Sequence, residues 1–186
     1  MRGCLTTLLV LILLTAVLLG GAAYLLAQSP ARAASATSVP VSSAAAERFD
    51  QKVAALEGAT APTTVEITDQ EATSKFAEAL AADPDLPRLD DPQVAFRDGR
   101  IHFSGTTRDT PIPVNVVVVG RAEARDGRLV PVVERIDTGR LPLPGPLRDQ
   151  ITGAVGNLDR LNDDLPIYVT DLRVLDGRLA LTGRPK

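Results

Sequence analysis

The chain begins with one long apolar run, passes through a stretch of small residues, and then adopts patterns that a folded domain would use. From Ala44 to Leu56 apolar side chains recur at helical spacing, with Phe49, Val53 and Leu56 on one stripe. Ser43 is placed to cap that helix and Gly58 to end it. "TTVEI", Thr63 to Ile67, reads as a short strand. In "TDQE", Thr68 to Glu71, a hydroxyl and a carboxylate three residues apart form a capping box, each serving a free amide at the helix start. The helix it opens runs to about Ala82, with Ala72, Phe76 and Leu80 in line. The prolines of "DPDLP" and "DDP" then end it, since proline excludes helix and restricts the residue before it.

Period two follows. Val94, Phe96, Ile101 and Phe103 share one face; Gln93, Ala95, Arg97, Arg100, His102 and Ser104 share the other. After a turn near Arg108 to Pro111, Ile112, Val114, Val116 and Val118 form one face of the next strand, and Asn115, Val117 and Val119 the opposite one. The middle of the sheet is thus apolar on both sides, which requires a cover for the second face. Pro131 marks "RLVPVVERI" as an edge strand or a bulged one. In "GRLPLPGPLRDQI" the prolines at 142, 144 and 146 enforce an extended approach. Pro146 suits the first position of a helix that carries Leu147, Ile151, Val155, Leu158 and Leu161 on one side. "PIYVTDLRVL" and "RLALTG" form a closing hairpin.

Asp-Gly-Arg occurs three times, at Asp98, Asp126 and Asp176. Each copy lies between apolar alternations, so the triplet reads as a tight hairpin turn with its Arg on the solvent side. Val94, Phe96, Ile101 and Phe103 around the first copy match Leu172, Val174, Leu179 and Leu181 around the last. The pattern predicts an α+β fold, a strongly twisted antiparallel sheet of hairpins packed by two or three amphipathic helices.

Leu5 to Ala27 contains no charged residue and is long enough to span a bilayer as a helix; Arg2 precedes it. The expected organisation is an anchor or signal segment over 1–28, a flexible Ala/Ser/Pro linker over 29–43, and an extracytoplasmic domain over 44–186. "ARA" at Ala31 to Ala33 has the form of a cleavage site, so retention and cleavage both stay open, and the length of the run favours retention. A retained helix makes this a single-pass membrane protein; cleavage makes it secreted. A coil as long as the linker spans about 20 Å, which keeps the domain close to the membrane.

Composition narrows the chemistry. Hydrophobic residues make up 45% of the chain but aromatics only 3%, with no Trp, so the core is aliphatic. A net charge of -3 and few aromatics argue against nucleic-acid binding. The single cysteine, Cys4, excludes an internal disulfide and a multi-cysteine metal site. His102 is the only histidine, and no Gly-x-Ser-x-Gly elbow surrounds any serine, so a solvated strand histidine is favoured over a catalytic one. Asp90 with Asp91, and Asp163 with Asp164, fall in predicted loops without the spacing of a calcium loop. No cofactor, metal or catalytic residue is expected.

The export segment, the small-residue linker, the "TDQEA" helix start, the repeated Asp-Gly hairpins and the "LPLPGPLRDQI" helix entry occur together. In this the chain, over about residues 44 to 184, resembles the small membrane-anchored envelope proteins of the YpmS and LmeA-like group, related to tubular lipid-binding domains. That resemblance implies a helix-wrapped, strongly curved sheet holding a phospholipid or another apolar molecule, and it carries no catalytic signature. The expected function is a membrane-tethered domain that binds lipid in a helix–sheet groove, without catalysis. Phe76, Leu80, Val116, Val118, Ile151, Val155 and Leu158 are the expected lining. The alternative is an envelope scaffold or protein-interaction module with a solid core, its protein partners unspecified.

Overall fold

The computed structural model describes residues 38–82, 88–108, 113–138 and 167–186. The apolar run over 5–27, most of the linker, and the helix expected from Pro146 with Ile151, Val155 and Leu158 lie outside them. Among the described residues no helix is long and apolar enough to cross a membrane.

Among the described residues two helices and seven strands follow in the order α1 (Ser43–Glu57), β1 (Thr63–Thr68), α2 (Asp69–Ala82), β2 (Leu89–Arg97), β3 (Arg100–Thr107), β4 (Asn115–Arg125), β5 (Arg128–Asp137), β6 (Ile167–Leu175) and β7 (Arg178–Pro185). The α+β class is as expected, but the strands form two antiparallel sheets rather than one. β2, β3, β4 and β5 pair in sequence order, while β1 pairs with β7 and β7 with β6.

The division has a local cause. The outer edge of β2, where a further strand would add, is occupied by α2 and the last turn. Thr73 Oγ1 accepts from the Val94 N–H at 2.9 Å and donates to the Val94 carbonyl at 3.1 Å. Asp69 Oδ1 accepts from the Phe96 N–H at 2.9 Å, and the Gly177 N–H donates to the Phe96 carbonyl at 2.8 Å. Thr73 and Asp69 thus take the place of a neighbouring strand and close an otherwise unpaired edge.

The helix signals are met with one shift. Glu71 N–H donates to Thr68 Oγ1 at 3.3 Å and Thr68 N–H to Glu71 Oε2 at 2.9 Å, so the capping box is formed. Gly58 ends α1, its N–H reaching the Ala54 carbonyl at 3.0 Å. The residue before α1 is Ser42 rather than Ser43, and it makes no side-chain cap. Its N–H is bound instead by Ser74 Oγ at 3.1 Å, which ties the start of α1 to α2. Asp90 and Asp91 lie in β2 rather than in a loop. The register shifts between Asp90 and Gln93, and Asp91 takes a φ of 47°, so the acidic pair and Pro92 form a bulge. Pro131 lies, as expected, on an edge strand, β5.

All three Asp-Gly pairs are two-residue hairpin turns, and the first and last match in register: Val94 faces Phe103 and Phe96 faces Ile101, as Leu172 faces Leu181 and Val174 faces Leu179. Gly127 has a φ of 76°, and a Cβ there would stand 2.6 Å from Tyr168 Cδ1. Gly177 has a φ of 81° and is held on both sides, its carbonyl accepting from the Asp69 N–H at 3.1 Å. Gly99 has a φ of 71° with open space around it. Valine at 127 or 177 is therefore expected to cost about 2 kcal/mol or more, and at 99 closer to 1 kcal/mol. Thermal melts of the three variants check this; unmoved midpoints, or Gly99→Val as the most damaging, would refute it.

The core lies between the two sheets and the helices. All four phenylalanines, Phe49, Phe76, Phe96 and Phe103, are buried in it, with Val53, Leu56, Ile67, Ile101, Leu179 and Leu181. The four-stranded sheet is buried on its second face as well, at Ala95 and Val119, as the two-sided apolar pattern requires.

Candidate functional site

Three of the expected lining residues belong to the closed core. Phe76 is 1% exposed, Val118 2% and Leu80 8%. The Phe76 ring meets Phe103 edge to face, with centroids 5.7 Å apart and planes at 69°. Ala72 and Thr73 complete the buried face of α2 against Val94 and Phe96. The interface between α2 and the four-stranded sheet is filled by the protein's own side chains. Val116 differs, being half-buried at the margin of the core.

Val116 belongs to a row of such residues. Along the core face of β4 and β5 run Val116, Ala122, Ala124, Val133 and Ile136, all only partly buried. β6 lies against these two strands and brings Leu172 and Val174, also half-buried. At the end of this seam the Val169 N–H donates to the Gly127 carbonyl at 2.9 Å, which joins the two sheets. Ala122 and Ala124 leave the β4 side of the seam shallow. Periodicity identified each strand face correctly but could not show that β6 crosses over this one.

Among the described residues the buried charged side chains, Glu71 and Lys75, lie where the two helices meet. Glu71, 3% exposed, accepts from Lys52 Nζ through both oxygens at 2.8 and 2.7 Å, and Arg48 Nε stands at 3.5 Å. Burial alone would raise its pKa, but the Lys52 ammonium and the Thr68 amide and hydroxyl outweigh it and hold the carboxyl below the usual range. Lys75 is placed the other way round, donating to Asp50 and Glu78 at 2.9 Å each. Desolvation opposes its charge, and the two carboxylates outweigh that and raise its pKa. The sequence marked Glu71 only as a capping residue. The signal it did carry was Arg48 and Lys52, one turn apart on α1.

His102 lies in the middle of β3 between Ala95 and Val119. It is half-buried rather than solvated, and its Nε2 is buried without a hydrogen-bond partner. Burial depresses its pKa; Asp98 opposes this, while Arg135, Arg97 and Arg100 add to it. No described carboxylate is hydrogen-bonded to the ring as the orienting acid of a triad would be. Among the described residues no group of His, Cys, Asp and Glu is arranged to hold a metal ion. No family model, curated protein or solved structure matches the chain.

Proposed function

We propose that this protein is a membrane-tethered extracytoplasmic domain that binds a lipid or another apolar ligand, without catalysis, in the seam between the two sheets. The row of half-buried aliphatic side chains on β4, β5 and β6 carries the proposal. Partly wetted aliphatic surface gains about 25 cal/mol for each Å² that a ligand covers. The seam has the apolar walls and few polar anchors that an acyl chain needs. It replaces the groove between α2 and the sheet, which Phe76, Leu80 and Phe103 fill. The apolar run over 5–27, the short linker and the resemblance noted above support the placement at a membrane.

Native mass spectrometry of the full chain, incubated with phospholipid vesicles and released from detergent, tests this. A lipid-sized mass addition is expected, and Ala122→Trp, which fills the seam, should remove it. Lipid held only by the apolar N-terminal run would survive that substitution. An addition unchanged in a cooperatively melting Ala122→Trp, or no addition at all, overturns the proposal. The second outcome leaves the solid-core interaction module.

A further inference from the structure

The outward face of the three-stranded sheet carries an exposed cluster that the fold does not need. Val65, Ile67, Ile167, Val169, Leu179 and Leu181 turn inward, which leaves Tyr168, Thr170, Thr182 and Arg184 outside. Tyr168 faces Arg184 across β6 and β7. Its ring is 38% exposed, with the Arg184 guanidinium 5.1 Å from its centroid and the Lys186 ammonium 5.8 Å from it. Beside the ring the Thr64 and Thr182 hydroxyls pair at 2.8 Å, and Thr170 donates to the Thr182 carbonyl at 3.2 Å. The acidic residues of these strands lie further along and are paired, Asp171 with Arg173 at 2.8 Å and Glu66 with Arg178 at 3.5 Å. Arg184 has no carboxylate partner among the described residues. β1, β6, β7 and Lys186 together hold four basic residues against two acidic ones, in a chain whose net charge is -3. The turn that packs on Tyr168, Arg125 to Arg128, adds two more basic residues and one acidic one.

An exposed tyrosine ring flanked by two cations and by hydroxyls suits the headgroup layer of an anionic bilayer. Tyrosine is favoured at that depth, and basic side chains are drawn to the negative surface potential. The geometry points to a docking surface for anionic phospholipid headgroups at the bilayer surface, formed by Tyr168, Arg184 and Lys186. The point where the chain enters the domain makes such docking reachable. Val39 N–H donates to Gln93 Oε1 at 2.9 Å, and its carbonyl accepts from Gln93 Nε2 at 3.3 Å. The linker is therefore pinned just before α1. The other end of α1 reaches the docking surface, since Leu56 packs at Gly183, next to Arg184. α1 spans about 21 Å between the two points, so docking lays that helix along the bilayer. The inference rests on the membrane-tethered part of the proposed function and does not require the seam.

The full chain, labelled at tyrosine, is placed in nanodiscs of phosphatidylcholine, or of equal parts phosphatidylcholine and phosphatidylglycerol. Both discs carry a gadolinium-bearing headgroup lipid. The chain has two tyrosines, Tyr24 and Tyr168, and Tyr168→Phe identifies the Tyr168 ring resonance. That resonance is expected to broaden in the phosphatidylglycerol discs, and to stay sharp in phosphatidylcholine or at high salt. Arg184→Gln should weaken the docking equilibrium about fivefold, the effect of one basic charge at an anionic surface. Arg184→Lys should restore it, and neither change at this exposed position should move the melting transition. Equal broadening in both discs, none in either, or broadening unchanged in Arg184→Gln overturns the docking surface and leaves the tether standing. A chain that neither disc retains overturns both.

Discussion

Phe76→Ala is expected to destabilise the domain by about 3–5 kcal/mol, the range for removing a fully enclosed ring. Phe76 is the largest side chain that α2 contributes to the core, and its edge contact with Phe103 joins that helix to the four-stranded sheet beside the Thr73 and Asp69 hydrogen bonds to β2. Ala72 and Leu80 flank it along the helix and cannot fill the space it leaves. The variant also separates two views of this interface. A groove shaped for a ligand would tolerate truncation of a lining residue, whereas a packed core would not. Chemical denaturation of parent and variant measures the loss; a cost below about 1 kcal/mol would return the ligand to the helix–sheet interface.

Glu71→Ala should cost about 3 kcal/mol, because one carboxylate serves two structures. It closes the amide end of α2 through Thr68 and neutralises Lys52 and Arg48 on α1. Removing it leaves the partly buried Lys52 ammonium without its carboxylate partner. The effect depends on pH in a defined direction. The folded pKa of Glu71 lies below the ordinary value of 4.5, so its contribution is complete above that pH and is lost as pH falls through the folded value. The gap between parent and variant should therefore be widest near neutrality and narrower at about pH 3. Denaturation at the two pH values reads it directly, and a gap that widens in acid would disprove the assignment.

Those two residues also show what sequence could and could not supply. The hairpins were legible because Asp-Gly and the flanking alternation are local, and the register around Asp98 and Asp176 follows from them. The capping box and the Ala72, Phe76 and Leu80 stripe were legible for the same reason. The partition into two sheets was not, since it depends on Thr73 and Asp69 occupying the edge of β2, a contact between helix and strand that no periodicity encodes. Asp91 and Pro92 have loop chemistry, and a bulge within a strand uses the same residues as a loop. The candidate site divided along similar lines. Phe76, Leu80 and Val118 are aliphatic or aromatic residues on the correct face, and a core and a ligand lining recruit the same types. Only burial separates them from Val116, Val133 and Leu172.

The pairing of β1 with β7 constrains the order in which the chain can fold. Residues 63–68 find their partner at residues 178–183, so the three-stranded sheet joins the two ends of the domain. Loop closure over such a separation is entropically costly, and contacts of this kind form late and slowly. Strands β2 to β5, in contrast, pair with their sequence neighbours and can assemble while the rest is still being made. β1, with Val65 and Ile67 ready for the core, must wait without a strand partner until β7 arrives. As the chain is synthesised, the three-stranded sheet completes itself only after residues 178–183 have been made. Over that interval α1 and α2, held together by Lys52, Glu71, Asp50 and Lys75, are the surface on which β1 can shelter.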